Sequence, residues 1–273
     1  MEDGDSDGML LGKISPVVDV YSPGILHPIA RQSGRASLSV KGQLPFHGVD
    51  LWHAYELSWL NLEGKPEARV GRFTVPAESP NLVESKSLKL YLNSLNDMRF
   101  ESEEAFSATV IADVGAVAGV SVSLDLWGVN DPGIIGGPLL GDCIDNEACS
   151  DLETGGVVSL RVEQGAWVEE RLFSHLMRSL CPVTGQPDWA TLWLHYRGPR
   201  LDRGTLLQYI VSYRQHQEFH EQCAERMFLD IYHSLAPDFL HLQAFYTRRG
   251  GLDITPFRSS ERDAQPRGRL ARQ

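Results

Sequence analysis

The sequence predicts an α+β protein with two similar halves, on three observations. Segments whose apolar residues alternate, as in strands, are interspersed with segments whose apolar residues recur at helical spacing. Residues 128–156 contain seven glycines and two prolines, which is typical of a connection between halves. Tyr91-Leu-Asn-Ser94 and Tyr209-Ile-Val-Ser212 each lie on a predicted helix that follows a strand and a turn. This echo fits a duplicated unit and equally fits chance.

The first half begins with a lead-in that we expect to be irregular, because residues 1–45 are rich in Gly, Pro and Ser and have few periodic apolar positions. Strands are then predicted at 51–60 and 68–75, helices at 87–98 and 102–111, and a further strand at 118–126.

The second half repeats this style, starting with a predicted strand at 156–162. Residues 167–180 are predicted to form an amphipathic helix, whose apolar face comprises Val168, Leu172, Phe173, Leu176 and Met177. Pro182 ends this helix and leaves Cys181 at its C-terminal end. The remaining predicted elements are a strand at 191–196, helices at 203–214 and 218–235, and a last strand at 240–247.

The composition is that of a water-soluble protein with room for two domains. The chain has 273 residues, of which 42% are hydrophobic and 22% are charged. No apolar run approaches the roughly 20 residues that a membrane helix needs, and the acidic start is unlike a leader peptide. Four cysteines without regular spacing do not indicate an extracellular disulfide framework. We therefore expect a cytoplasmic protein that binds no membrane.

The charge balance argues against general nucleic-acid binding. The formal net charge is −11, whereas nucleic-acid binding depends on neutralising phosphates with Lys and Arg. The exception is local: residues 257–273 contain five arginines, and Arg248-Arg249 lies just upstream. Such a tail is either a solvated end or the charge partner of a small phosphorylated ligand.

The loop from Cys181 to Asp188 is the strongest candidate for chemistry. Pro182 and Pro187 restrict its backbone, so it has few available conformations. A cysteine held in this way can act as a nucleophile, and an acid seven residues later can move a proton beside it. The alternative is a buried thiol in a tight turn.

Two further groups have a structural and a functional interpretation. Glu84-Ser-Lys-Ser-Leu-Lys-Leu-Tyr91 lies at a strand-to-helix junction and is either a capped helix start or an anion site built from free N–H groups and Lys86. His216, His220 and Cys223 resemble a partial set of metal ligands, but the spacing is not HExxH and a zinc site usually needs three or four well-spaced ligands. We predict no metal.

These segments resemble a known family. Glu84-Ser-Lys-Ser-Leu-Lys-Leu-Tyr91 is similar to the signature of the NADPH-dependent 7-cyano-7-deazaguanine reductases, the QueF family. The Cys181…Asp188-Trp189 loop, Glu218-Phe-His220-Glu221-Gln-Cys223 and Tyr246-Thr-Arg-Arg249-Gly250-Gly-Leu-Asp253 look like its other characteristic segments, in the expected order. The similarity runs from about residue 44 to the C-terminus and resembles the long, two-module branch. The lead-in and the connection at 128–156 carry no recognisable match.

The resemblance implies the tunnelling fold (T-fold), with two tandem modules of antiparallel sheet backed by helices. The expected division is a lead-in at 1–45, an N-terminal module at 46–150 that carries the signature, and a C-terminal module at 151–273 that carries the Cys/Asp pair. The implied reaction reduces the nitrile of 7-cyano-7-deazaguanine to the primary amine of 7-aminomethyl-7-deazaguanine with NADPH, on the route to the tRNA nucleoside queuosine. A homodimer is expected.

The family's functional residues fall on matching positions of this sequence. Cys181 would form a thioimide with the nitrile carbon, Asp188 would transfer the proton, and His220 would position the substrate and assist protonation. The implied substrate-binding residues are Val83, Glu84, Ser85, His220 and Glu221. The implied NADPH-binding residues are Ser85, Lys86, Arg249 and Gly250.

Several alternatives stay open at this point. One is a zinc-dependent cyclohydrolase of the same fold, in which Cys181, His220 and Cys223 would bind metal. Another is a purine-binding module without catalysis. A helix C-terminus and a nearby acid should not depress the pKa of Cys181, so we expect a proton shared with Asp188 rather than a standing thiolate. A reversible protective disulfide between Cys181 and Cys223 is a further hypothesis.

Overall fold

The computed structural model describes residues 18–38, 40, 43–148 and 158–273. It contains two compact units. The first unit comprises Met1–Ser33, Leu51–Ile134 and Arg248–Asp253, and the second comprises Gly34–Asp50, Ile135–Thr247 and Ile254–Gln273. These units interleave along the chain, whereas the expected modules are continuous segments, so the module boundaries remain a prediction.

The described residues form ten strands and five α-helices. The strands are β1 (Pro28–Ala30), β2 (His47–Leu60), β3 (Pro66–Pro76), β4 (Asn81–Val83), β5 (Ser123–Gly128), β6 (Asp142–Cys143), β7 (Val162–Leu180), β8 (Pro187–Leu201), β9 (Phe239–Tyr246) and β10 (Leu252–Ser259). The helices are α1 (Arg31–Ser37), α2 (Ser85–Asn93), α3 (Glu103–Ala118), α4 (Arg203–Ser212) and α5 (His220–Leu235). The α+β class is confirmed. No helix in this described part is long and apolar enough to cross a membrane.

The first unit contains helices α2 and α3 and a group of adjacent strands in the order β5-β3-β2. The ring of Trp59 on β2 stacks on Phe106 of α3 with centroids 4.2 Å apart, so the helix packs its apolar side against the sheet. Ser102 caps the start of α3 through the backbone N–H of Ala105, and Gly119 ends the helix in the left-handed conformation that glycine tolerates best. The predicted strands at 51–60 and 68–75 are confirmed.

In the second unit, the strand order is β10-β9-β8-β7-β6. The pairs β7–β8, β8–β9 and β9–β10 are antiparallel, and short β6 runs parallel to β7. Helix α5 buries Cys223, Ala224, Met227, Phe228 and Ile231 completely, which is the helical spacing expected of a face packed on a sheet. The predicted helices at 203–214 and 218–235 and strands at 191–196 and 240–247 are confirmed.

The predicted helix at 167–180 is wrong: these residues belong to strand β7. Both faces of this strand are apolar, because Leu172 is fully buried while its neighbour Phe173 packs from the other face against Trp193 and Leu270. A bulge between Ser174 and Met177 then shifts the inward positions by one residue. Together these features imitate helical spacing. Cys181 therefore follows a strand, and the argument from a helix C-terminus falls.

Two other expectations are also corrected. The lead-in is not wholly irregular, because β1 and α1 lie within it. Strand β10 follows the predicted last strand, and its Arg258 is completely buried between Asp50 and Glu225. This arginine is part of the core rather than of a solvated tail. The sequence hides β10 because all eight of its residues are buried, polar ones included, so no alternation marks it.

Candidate active site

Cys181 and Asp188 lie on the hairpin between β7 and β8. The backbone N–H of Cys181 donates to the Gln186 carbonyl oxygen, and the N–H of Gly185 donates to the Cys181 carbonyl oxygen, both at 2.9 Å. Gly185 has φ +66°, the left-handed conformation that favours glycine. Asp188 pairs across the strands with Ser179, two residues before the cysteine. The turn thus places both groups at one end of a β-hairpin, rather than between a helix and a strand as expected, and both are almost fully buried, at 3% and 7% exposure.

His220 joins this pair. It is the first residue of α5, and its Nε2 lies 3.2 Å from Asp188 Oδ2. Its ring stacks on Tyr246 with centroids 3.7 Å apart and planes 10° from parallel. Its Nδ1 is buried and has no hydrogen-bond partner among the described residues. An oriented imidazole with one nitrogen on a carboxylate and the other unpaired is suited to receive a ligand group.

Cys223 lies deeper than the catalytic candidates. It is completely buried, and burial, with a further contribution from Glu218, raises the pKa of its thiol to about 12. Burial also raises the pKa of Tyr246 well above its usual range. Cys143, Cys181 and Cys223 are all free thiols. A protonated, inaccessible Cys223 is an inert core thiol in this state, and the reversible disulfide remains a prediction.

Two glutamates in α5 have different roles. Glu221 is buried, at 3% exposure, in the first turn next to His220. Glu225, one turn later, accepts hydrogen bonds from Arg35 at 2.8 Å and from Arg258 at 2.9 Å, and Arg258 also binds Asp50 at 2.8 Å. The charges of this buried cluster satisfy one another, so removal of one partner would leave an uncompensated buried charge. Sequence reasoning missed it.

In the first unit, Glu84 caps helix α2. Its carboxylate accepts hydrogen bonds from the backbone N–H groups of Lys86 at 3.0 Å and Ser87 at 2.7 Å, and the residue is 1% exposed. The capped-helix interpretation is therefore confirmed, and these two N–H groups are not available to an external anion. Each carboxylate oxygen keeps a lone pair that a ligand N–H can use. Val83, at the end of β4, is buried beside it.

The remaining cofactor candidates lie on α2 and on a glycine turn. Arg249 and Leu252 close the turn through reciprocal backbone hydrogen bonds, and Gly250 and Gly251 both have positive φ, which is a hairpin turn of the type I′ kind. Lys89 donates to the Gly250 carbonyl oxygen at 2.7 Å and so ties the turn to α2. Arg249 and Gly250 are exposed, and Ser85 and Lys86 are half-buried.

The possible metal ligands group differently from the prediction. The structure brings together His216, Glu218 and Cys223, whose ligand atoms lie within 4.8 Å of one another, and His220 is not in this group. Glu218 is also held by the guanidinium of Arg226. A cation already occupies this carboxylate, so the arrangement is that of an ion-pair cluster.

Comparisons with known proteins cover most of the chain. The family model described as "Nitrile reductase, 7-cyano-7-deazaguanine-reductase N-term" matches residues 17–126, and the model described as "QueF-like protein" matches residues 187–265. An NADPH-dependent 7-cyano-7-deazaguanine reductase of Chromohalobacter salexigens is 48% identical over 268 residues, which is 96% of this chain and 96% of the relative. A solved structure, the archaeosine synthase QueF-Like in the apo form, is 17% identical, with a TM-score of 0.31 over 38% of this chain and all of that one.

Proposed function

The chain belongs to the NADPH-dependent 7-cyano-7-deazaguanine reductase family, and we propose that Cys181, Asp188 and His220 carry out that reaction on the β7–β8 hairpin. The reaction is the reduction of the nitrile of 7-cyano-7-deazaguanine to the primary amine. The assignment depends on one observation. The Cys181 thiol and the Asp188 carboxylate are buried at one end of the hairpin, and the His220 imidazole lies 3.2 Å from that carboxylate.

The first step is addition of the thiol to the nitrile. A nitrile carbon is a poor hydride acceptor, so a covalent intermediate divides the difficulty. The Cys181 sulfur forms a bond to the carbon, one C–N π bond breaks, and Asp188 carries the thiol proton to the nitrogen. The product is a thioimide with a neutral N–H. Transfer through Asp188 avoids a buried nitrogen anion, which would be costly in this site.

The second stage returns the enzyme to its starting state. NADPH supplies a hydride to carbon at each of the two reductions. After the first, Cys181 leaves with its electron pair, is reprotonated, and releases an imine. His220 and Asp188 hold the proton that the product nitrogen takes up. Overall, one nitrile, two NADPH and two protons give one primary amine and two NADP⁺.

Recognition of the base rests on buried carboxylates. We assign Glu221 and Glu84 as acceptors for N–H groups of the deazaguanine ring, and Val83 and Ser85 as further substrate-binding residues next to Glu84. A buried carboxylate placed to accept N–H groups of the base discriminates against a base that does not offer them. His220 Nδ1, which is unpaired among the described residues, supports a direct contact with the substrate.

For the cofactor, we assign Ser85, Lys86, Arg249 and Gly250. Two cationic side chains, a hydroxyl and an exposed glycine turn are the donor set that phosphates need, so these residues fit the group. Gly250 has φ +63°, a conformation in which another residue would be strained. Lys89 fixes this turn against α2 without any ligand.

The direct test is consumption of NADPH on addition of 7-cyano-7-deazaguanine. We expect the NADPH absorbance to fall, with two NADPH molecules consumed for each amine formed. Binding of the base with no NADPH loss would instead favour the purine-binding module. Stoichiometric zinc in the purified protein, with activity lost on its removal, would favour the cyclohydrolase alternative.

We further propose that the enzyme works as a homodimer in the cytoplasm. The tunnelling fold expected of the family associates through its sheets, which supports a dimer. Sedimentation equilibrium of the purified chain tests this, and a monomer at micromolar concentration that keeps full activity would contradict it.

A further inference from the structure

We propose that Arg178, Trp189 and Arg214 form a phosphate-binding site beside the catalytic hairpin, and that it takes a phosphate group of the dinucleotide cofactor. The choice of the cofactor rests on the proposed function. The phosphate chemistry rests on the side chains alone, and none of these residues belongs to the sites assigned above.

The three side chains form one cationic aromatic platform. Trp189 follows Asp188 on β8 and pairs across the strands with Arg178. The guanidinium carbons of Arg178 and Arg214 lie 5.8 Å and 5.4 Å from the centre of the indole ring. The Nη1 of Arg178 also donates to the Arg214 carbonyl oxygen at 3.1 Å. Yet Trp189 is still 37% exposed, so the platform faces solvent.

The charges of this platform are not neutralised. Within the described ranges, neither Arg178 nor Arg214 forms an ion pair with a carboxylate. Three other arginines over aromatic rings do, since Arg69 binds Glu103, Arg72 binds Asp125, and Arg197 binds Asp238, whereas a single arginine over Trp193, Arg267, forms no ion pair within the described ranges. In a chain of net charge −11, two guanidiniums gathered on one ring without an acid are the exception.

This arrangement suits a phosphate. Stacking on an indole occupies a face of a guanidinium and leaves its N–H edges free to bind an oxyanion with two parallel hydrogen bonds. Two such groups repel each other until an anion lies between them. The net charge disfavours a polyanion such as a nucleic acid, whereas a single phosphate or diphosphate matches two arginines.

The location of the platform favours the cofactor as the source of the bound phosphate. Trp189 follows Asp188 on β8 and Arg178 precedes Ser179 on β7, so the platform lies at the same end of the hairpin as the proposed proton carrier, on the opposite face of the strands. Hydride must be delivered to carbon attached to Cys181, and the phosphates of the donor must then be held near that hairpin.

The test uses inorganic pyrophosphate and NADP⁺ as probes, with binding measured by titration calorimetry and no turnover. The variants are Arg178→Gln, Arg214→Gln and the double variant. The matched control is Arg72→Gln, which also removes a guanidinium from a tryptophan, Trp127, but one that Asp125 neutralises. We expect the double variant to bind both probes at least roughly tenfold more weakly, as loss of charged hydrogen bonds implies, and the control to bind as wild type.

Steady-state kinetics separate binding from a merely structural effect. In the double variant, KM for NADPH should rise, while kcat at saturating NADPH and KM for the nitrile stay within about twofold. Arg178→Lys should restore part of the pyrophosphate affinity, because it keeps the charge. Unchanged binding of both probes would overturn the site, and weaker pyrophosphate binding with normal NADP⁺ binding would overturn the cofactor assignment. Wild-type protein that binds NADP⁺ but never oxidises NADPH would instead refute the proposed function.

Discussion

The two units have hairpin turns at corresponding places, but the turn of the second unit is one residue longer and the two are used differently. The turn between β2 and β3 closes with Asn61 N–H donating to the Lys65 carbonyl oxygen, and the turn between β7 and β8 closes with Cys181 N–H donating to that of Gln186, both at 2.9 Å. Asn61 lies where the second unit has Cys181, the proposed nucleophile. Its side chain accepts hydrogen bonds from Glu63 and Lys65, at 3.0 Å each, so it stabilises its own loop.

The likeness continues along both hairpins. Leu60 bridges to Arg99, and Leu180 bridges to Gln217, each in parallel. Strand β3 then starts with Pro66-Glu67 and β8 with Pro187-Asp188. Both units thus have these features in common, and the proposed chemistry depends on the thiol that only the second loop carries.

The helices of the two units also make matching hydrogen bonds. Tyr91 donates to Asp113 at 2.6 Å, and Tyr209 donates to Asp230 at 2.7 Å. Each tyrosine lies seven residues after the acid that caps its helix, Glu84 in one unit and Asp202 in the other. The faint sequence echo therefore reflects equivalent contacts. Each unit thus keeps these shared contacts, while the residues to which we assign a function differ, with Glu84 in the first unit and Cys181 in the second.

The largest expected effect comes from making the second turn resemble the first. Cys181→Asn should lower kcat by at least about 10³-fold, because the covalent route is lost. The fold should survive, since asparagine occupies the corresponding position of the shorter turn in the first unit and the backbone N–H of residue 181 is kept. Loss of the thioimide's ultraviolet band and an unchanged circular dichroism spectrum would check this. The reciprocal variant Asn61→Cys should leave kcat unchanged, and an equal loss of activity there would break the comparison.

The next largest effect on activity is expected at Asp188, which follows Pro187, and not at Glu67, which follows Pro66. Asp188→Asn should slow thioimide formation by about 10²- to 10⁴-fold, because proton transfer is lost while the carboxamide keeps the shape. Stopped-flow absorbance without NADPH measures this step. Glu67→Gln in the first unit is the matched control and should have no effect. An undiminished rate of adduct formation in Asp188→Asn would remove the proton role.

The buried ion cluster distinguishes the units by stability. Glu225 lies five residues before Asp230, whereas Ala108 lies five before Asp113. Glu225→Gln should lower the free energy of unfolding by about 3–5 kcal/mol, since Arg35 and Arg258 lose their partner. Urea titration measures the change. Asp238→Asn, which breaks an exposed pair with Arg197, should cost less than about 1 kcal/mol, and equal costs would contradict the account.

The smallest effect tests whether the two tyrosine contacts are equivalent. Tyr91→Phe and Tyr209→Phe should each cost about 1.5–3 kcal/mol, because a hydrogen bond to a carboxylate is lost. Burial, followed by the nearby acids, raises the pKa of both hydroxyls well above the usual range. Their stability contribution is therefore complete below pH of about 10 and falls above it, since only unfolded tyrosines ionise there. Urea midpoints from pH 8 to 11 check this, and a decline in only one unit would break the equivalence.

Sequence reasoning succeeded where the signal is local. The Cys181–Asp188 loop is set by its two prolines, and the start of α2 by Glu84. It failed at β7, whose two apolar faces and bulge imitate a helix, and at β10, where burial on both sides removes the alternation. The partners of Glu225 could not be predicted, because Arg35 lies 190 residues away in the chain and only the fold brings them together.

The central claim is that Cys181 adds to the nitrile with a proton carried by Asp188, and intact-protein and peptide mass spectrometry tests it most directly. The protein is mixed with 7-cyano-7-deazaguanine in the absence of NADPH, trapped and digested. We predict a mass increase of one whole substrate molecule, located on Cys181 and reversed when NADPH is added. An adduct on Cys223, or full turnover with no adduct on Cys181, would contradict the account.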